Sequence, residues 1–290
     1  LAIFVKYEYW YYHLKTIRER NIPLLMISSI FRKKQIFFKW YGEFYRRMLK
    51  FFTCIFVQDE QSVNFLIQID IQNCSVSGDT RFDRVAAVAN NSTEVPQIND
   101  FIENKNIVIA GSTWRYDEKV LAHAFDNYSA VKLIIVPHEV HSKHLLEMKQ
   151  HFPSALFYSE LLHGKLNNSI LIIDKFGMLS RLYKYATITY IGGGFNKSGI
   201  HNSLEAAVYG KPIIFGPNYH KFKEARELIS AGAAFSISNS TELRQIVNKL
   251  LNNKELLHQS GEAARMYVQQ NMGATEKIMK YIQENRLLTN

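Results

Sequence analysis

Short, nearly unbroken apolar runs alternate with longer segments whose apolar residues recur at helical spacing. The runs at 2–5, 23–28, 54–58, 107–110, 132–136, 169–173, 187–191 and 212–215 predict strands. The segments at 10–20, 35–52, 60–69, 117–127, 141–151 and 178–185 predict helices. Strands apolar on both faces and separated by helices belong to parallel sheets covered on both sides, so the expected class is α/β with Rossmann-like lobes. The alternation breaks at 85–104, VAAVANNSTEVPQINDFIEN, and a linker is expected at 93–104. Beyond it six or so strands make a full lobe, 105–272; before it only three or four occupy 1–92, about half of such a sheet. A half sheet leaves an open apolar edge, which predicts that the first lobe begins upstream of Leu1. Past 234 only helices are predicted, at 241–251, 255–271 and 275–290; the last segment, 273–290, either packs back on the first lobe or caps the second.

Composition narrows the class. With 14 Gly, 6 Pro and 13% aromatic residues among 290, the chain is neither fibrous nor disordered. Two cysteines, Cys54 and Cys74, make no disulfide framework and suit a reducing compartment. No run approaches the roughly 18 consecutive apolar residues of a membrane span. The 35 basic and 26 acidic residues leave a net charge of +9, which suits anionic partners. The basic residues concentrate in 30–52, IFRKKQIFFKWYGEFYRRMLKFF, among nine aromatics. At helical spacing Phe37, Tyr41, Phe44, Met48 and Phe51 share a face, either a core stripe or a surface for anionic lipid. No nucleic-acid-binding motif accompanies them, so nucleic acid is not an expected partner.

Candidate chemistry gathers where strands end. In 187–218, TITYIGGGFNKSGIHNSLEAAVYGKPIIFGPN, a strand runs into Gly192, Gly193 and Gly194, and a helix is expected to begin near His201 or Asn202. Glycines there allow close approach of a ligand, and a helix start offers free N–H groups to a phosphate. Glu205, one turn in, is placed to accept from ribose hydroxyls; the plainer alternative is a capping box of Asn202 with Glu205. Gly111, Ser112 and Thr113 close another strand as phosphate donors or ordinary caps, and Pro137 with His138 closes a third. Gly177 frees the backbone beside Met178 and Leu179. His138, His141 and His144 are spaced i, i+3, i+6, too far around a helix for all three to converge, so no metal is expected. Glu8 is the acid of the first lobe.

Taken in order, YEYW (7–10), VSGDTRFDRV (76–85), AGSTW (110–114), VPHE (136–139), DKFGMLSRLY (174–183), YIGGGF (190–195) and HNSLEAAVYGKPIIFGP (201–217) resemble the Kdo transferases of lipopolysaccharide assembly. These are GT-B glycosyltransferases with two Rossmann-like lobes. The resemblance implies transfer of 3-deoxy-D-manno-octulosonic acid (Kdo) from CMP-Kdo to a lipid A precursor, with inversion, without a metal or cofactor. It implies work at the cytoplasmic face of the bacterial inner membrane, against an anionic surface. CMP contacts carried over by motif fall on Pro137 and His138, on Gly177, Met178 and Leu179, and on Asn202, Ser203, Leu204 and Glu205. His138 stands where the family has Arg, and Met178 where it has Glu. Lys6 occupies the place of a second acid two residues before Glu8, leaving Glu8 to the acceptor side. The general base is a Gly-Glu glutamate that the resemblance places upstream of Leu1, as it does the membrane anchor, so the chain is expected to bind donor better than it transfers sugar. Two other readings compete: a UDP-sugar-dependent GT-B transferase or epimerase, and a non-catalytic basic module binding anionic lipid.

Overall fold

The computed structural model describes residues 1–102, 105–161 and 168–288. The chain divides into two compact units, residues 1–84 with 271–290, and residues 85–270.

The first unit holds a parallel sheet of β1 (Ala2–Val5), β2 (Leu24–Ser29), β3 (Cys54–Val57) and β4 (Cys74–Val76), in that order. Its strands alternate between two cores. Leu24, Met26, Ile55 and Val57 face a cluster with Leu14, Phe37, Met48 and Phe52, while Leu25, Cys54 and Phe56 face Ile278 and Ile282. The second face is thus covered by the helix Ala274–Glu284, and burying its two isoleucines contributes roughly 1.5–3 kcal/mol each. Its N-cap, Gly273, lacks a side-chain acceptor, and Asp83 supplies one: its carboxylate accepts from Gly273 N–H at 2.6 Å and Thr275 N–H at 2.8 Å. Residues 289 and 290 of the expected terminal helix lie outside the described residues.

The aromatic-basic stretch is not the single helix its spacing predicts. A 3-10 turn, Ile36–Phe38, is followed by a bend and the helix Glu43–Leu49. Gly42 turns where a Cβ would run into the Ile36 carbonyl. Arg46 ties the bend by donating to the carbonyls of Phe37 (3.0 Å) and Lys39 (2.9 Å). The predicted stripe therefore splits: Phe37 and Met48 are core, whereas Tyr41 and Phe44 are exposed.

The second unit carries seven parallel strands: β5 (Ile107–Thr113), β6 (Lys132–Pro137), β7 (Leu156–Phe157), β8 (Ile170–Ile172), β9 (Ile188–Ile191), β10 (Ile213–Phe215) and β11 (Ala234–Ser236). Their order is β11-β10-β9-β5-β6-β8-β7. The three strands missing from the expected set, β4 (CSV), β7 (LF) and β11 (AFS), lack the unbroken branched-apolar run that marks equally short β8 and β10. Val108, Ala110, Leu133, Ile135, Ile188, Tyr190 and Ile214 pack under Leu121, Phe125, Met148 and Val247 to form the core. In the stretch expected to be a linker, the helix Pro96–Ile102 buries Ile98 and Phe101, and Val95 N–H donates to the Tyr185 hydroxyl at 2.9 Å; 103 and 104 lie outside the described residues. Among the described residues no helix is long and apolar enough to cross a membrane.

Candidate functional site

From β5 the chain moves on to β6, on one side; from β9 it moves on to β10, on the other. Adjacent strands whose connections diverge define a topological switch point, where α/β sheets bind ligands outside the carboxyl ends. Gly111, Ser112 and Thr113 close β5 there, and Gly192, Gly193 and Gly194 follow β9.

These glycines serve the chain's own packing rather than a ligand's approach. A Cβ on Gly111 would meet the Tyr183 hydroxyl and lie 2.6 Å from Leu179 Cδ1. One on Gly192 would meet the Ser112 carbonyl, and one on Gly194 would sit 2.5 Å from Gly216 N. Gly193, at φ +87°, gives its N–H to Asp117 at 2.8 Å, so that amide is not open to phosphate. Gly177, at φ +78°, differs: nothing lies within 4 Å of a Cβ built on it. Beside it, Val95, Tyr158, Lys175, Phe176, Met178 and Arg181 line a cavity of 340 Å³. Lys175 and Arg181 bring two cations to it and Glu94 one carboxylate, beside the rings of Tyr158 and Phe176.

Asp117 locks the seam. Fully buried, its carboxylate accepts from Tyr190 Oη (2.7 Å), Gly193 N (2.8 Å) and Trp114 N (2.9 Å). Burial raises its pKa, opposed by these three donors. Thr113 is equally committed, its hydroxyl donating to buried Glu118 (3.1 Å) and its carbonyl accepting from His138 N–H (2.9 Å). Ser112 holds a left-handed φ of 53° at a register shift between Gly111 and Thr113, a strained position for a residue with a Cβ.

Above the seam stand three rings. Trp114 stacks on His138 at 4.7 Å between centroids, and His138 lies 4.4 Å from His201. The Trp114 indole N–H donates to His201 Nε2 at 2.8 Å, which leaves the other ring nitrogen, Nδ1, to carry the proton of neutral His201. Burial, then the nearby His138, lowers the pKa of His201 and favours that neutral form. His201 and Trp114 were not among the expected site residues, although both lie inside the quoted motifs, next to Thr113 and Asn202.

The helix after the triple glycine is a single turn, Leu204–Ala207, beginning later than expected and too short for a substantial dipole. Asn202 Oδ1 accepts from Leu204 N–H (3.2 Å) and its amide donates to Glu205 (3.1 Å), close to the plainer capping alternative. Glu205 remains half-buried at this edge, whereas Ser203 and Leu204 are buried behind it, with the Ser203 hydroxyl lacking a partner. Pro137 is buried in β6, and Met178 is buried beside the cavity. In the first unit, exposed Glu8 accepts from the Trp10 indole N–H, while Lys6 pairs with buried Asp79 at 3.3 Å.

Residues 1–84 match the family described as 3-deoxy-D-manno-octulosonic-acid transferase (kdotransferase). The 3-deoxy-D-manno-octulosonic acid transferase of Rickettsia felis is 29% identical over 295 residues, 97% of this chain and 62% of the relative. That of Aquifex aeolicus is 33% identical over 154 residues, 51% of this chain and 42% of the relative. The chain thus spans about three-fifths of the length of the Rickettsia felis relative. Among solved structures, the C-terminal CMP-Kdo binding domain of WaaA from Acinetobacter baumannii aligns with TM-score 0.54 and 22% identity, over 66% of this chain and 99% of that domain. A UDP-N-acetylglucosamine 2-epimerase aligns with TM-score 0.65 and 11% identity, over 98% of this chain and 71% of its own. These likenesses show the fold class, GT-B.

Proposed function

We propose that this chain belongs with the Kdo transferases and takes part in transferring Kdo from CMP-Kdo to a lipid A precursor, with inversion and without a metal in the transfer step. One observation carries the reading: in a chain similar to these enzymes over 97% of its length, the switch point gathers His138, His201 and the Asn202–Glu205 turn at one sheet edge. As the glycosidic bond breaks, negative charge grows on the departing CMP phosphate. His201 Nδ1–H, held in place by the Trp114 indole, is a donor for that phosphate, and the Gly177 loop with Lys175 and Arg181 supplies further amides and positive charge. Glu205, its carboxylate held by Asn202, takes the ribose hydroxyls. Glu8 serves the acceptor side.

The first unit supplies the membrane-facing part of the proposal, at the cytoplasmic face of the inner membrane. Trp40 is 90% exposed and Tyr12 80%, Tyr41 and Phe44 are exposed as well, and Lys33, Lys34 and Lys39 lie close to Trp40 along the chain. Tyr11, at the start of the helix Tyr11–Glu19, contacts Phe44 of the helix Glu43–Leu49 at 5.0 Å, which joins the aromatic residues of these two helices. Interfacial aromatics with basic neighbours suit an anionic bilayer, at about 1 kcal/mol per cation close to it.

Calorimetric titration with CMP, UMP and UDP, for the chain and for Glu205→Ala, tests the donor side. CMP is expected to bind most tightly, with affinity falling at least about tenfold (about 1.4 kcal/mol) in the variant. Equal binding of all three nucleotides, or indifference to Glu205, defeats the reading. A UDP-sugar enzyme is the second reading, favoured by the fold likeness over 99% of this chain to the S. aureus MnaA-UDP co-structure (TM-score 0.62). Preference for UDP in the same titration would select it.

A further inference from the structure

The loop after β6 carries a group of side chains with no part in the proposed transfer. We propose that Glu139, His141 and His144 form a binding site for one divalent transition-metal ion of borderline softness, with Zn²⁺ as the reference ion. One ligand atom from each residue lies within 4.8 Å of the other two, and among the described residues this is the one such group of three. Helical spacing argues against convergence of His138, His141 and His144, and His138 indeed stands apart, on Trp114 and His201. The other two meet because His141 is not helical. It is the N-cap of the helix Ser142–His151, in extended backbone at φ −81° and ψ 151°, and Glu139 joins from the loop with its carboxylate 3.1 Å from His141 Nε2.

His144 is the independent sign of a ligand. It is 1% exposed, and its Nε2 is held by the equally buried Glu118 carboxylate at 2.8 and 3.0 Å. That leaves Nδ1 as the nitrogen available to the other two ligands, and Nδ1 is buried without a hydrogen-bond partner. A carboxylate behind one imidazole nitrogen, with the other nitrogen turned to a metal, is the arrangement that fixes tautomer and ring orientation in metal sites. Glu118 is itself anchored by the Thr113 hydroxyl. Two imidazoles and one carboxylate suit zinc, with an open fourth position for water.

Tetrahedral bonds of about 2.0–2.1 Å need ligand atoms roughly 3.4 Å apart, so the three must draw together slightly. His141 and Glu139 have side chains 51% and 38% exposed and are free to turn, while His144 stays fixed. Binding has a cost, because His141 Nδ1 accepts the His144 N–H at 3.2 Å as a helix cap. Binding through Nε2 moves the ring proton to Nδ1, and binding through Nδ1 occupies the same lone pair; either breaks that cap. The site is therefore one of moderate affinity that ties the β6 loop to the first turn of its helix.

The test is titration of the chelator-treated full chain with Zn²⁺ by calorimetry and with Co²⁺ by its visible absorption. One ion per chain is expected, with a four-coordinate cobalt spectrum. His141→Ala and Glu139→Gln, both at the surface, each lower the affinity at least about tenfold, whereas His258→Ala, at a distant exposed histidine, leaves it unchanged. Absence of stoichiometric binding overturns the proposal. So does wild-type affinity in both loop variants, or an equal loss in His258→Ala, which would mark scattered binding to surface histidines. None of these readouts depends on which nucleotide the chain binds.

Discussion

The two units apply the same parallel-sheet plan to opposite ends. In the first, aromatic side chains reach the surface: Trp40, Tyr12 and Tyr41 are 90%, 80% and 57% exposed. In the second, the carboxyl edge of the sheet closes on itself, with glycine against backbone and one buried carboxylate binding three donors. Those exposed rings can change without disturbing the core of the first unit. The second has almost no slack where its strands end, so the same kind of change there is structural before it is functional.

The sharpest break of this contrast is Gly192→Ala. Its Cβ would collide with the Ser112 carbonyl and come within 2.7 Å of Thr113 Cα, backbone that cannot swing aside. A loss of at least about 3 kcal/mol is expected, read as a lower urea midpoint or failure to fold. Gly177→Ala is the comparison within the same unit: with open space around it, only the positive φ penalises alanine, by about 1 kcal/mol. Equal losses at the two glycines would refute the packed-seam account. Next in size is Asp117→Asn. An amide presents one oxygen to three donors and turns its NH₂ against at least one of them, so about 2–4 kcal/mol is expected by chemical denaturation.

Much of this was legible beforehand, and the exceptions share a cause. The long strands announce themselves, as in KLIIV of β6, because burial on both faces demands unbroken apolar runs. That β5, β6 and β9 end at one edge of one sheet was legible too, because alternation of strand and helix dictates where carboxyl ends gather. Local spacing could not show what stands opposite a residue across the fold. Gly192 and Ser112 are eighty positions apart, so glycines that meet backbone look the same in sequence as glycines that admit a phosphate. Trp114 and His201, and Asp117 and Gly193, are paired over similar separations. The break at Gly42 and the N-cap role of His141 escaped for a different reason. Both interrupt a helical pattern through a bend that side-chain periodicity does not encode.

A smaller effect probes the ring cluster through pH. Burial lowers the pKa of His201 below its ordinary 6.5, so the folded chain resists a proton that the unfolded chain accepts. The stabilisation is complete above about 6.5 and falls as pH drops from there to the lowered folded value, below which His201 adds no further change. In His201→Gln the slope of stability against pH in that window is expected to flatten, measured as urea midpoints at successive pH values. An unchanged slope would mean that His201 is not held neutral by the rings around it.

The smallest expected effect on stability, and the most informative about the first unit, is Trp40→Ala. A side chain 90% exposed contributes little packing, so the urea midpoint should shift by no more than about 0.5 kcal/mol equivalent. Binding to vesicles containing anionic lipid, followed by co-sedimentation, should nevertheless weaken several-fold and lose its dependence on ring burial at the interface. Lys33→Gln with Lys34→Gln should weaken it as well, in a manner removed by added salt, because exposed charges are screened over about 8 Å at physiological ionic strength. The two perturbations separate the aromatic from the electrostatic part of one patch. If neither alters vesicle binding while both leave the fold intact, the exposed aromatics of the first unit face something other than a bilayer, and surface slack alone does not make a membrane-facing unit.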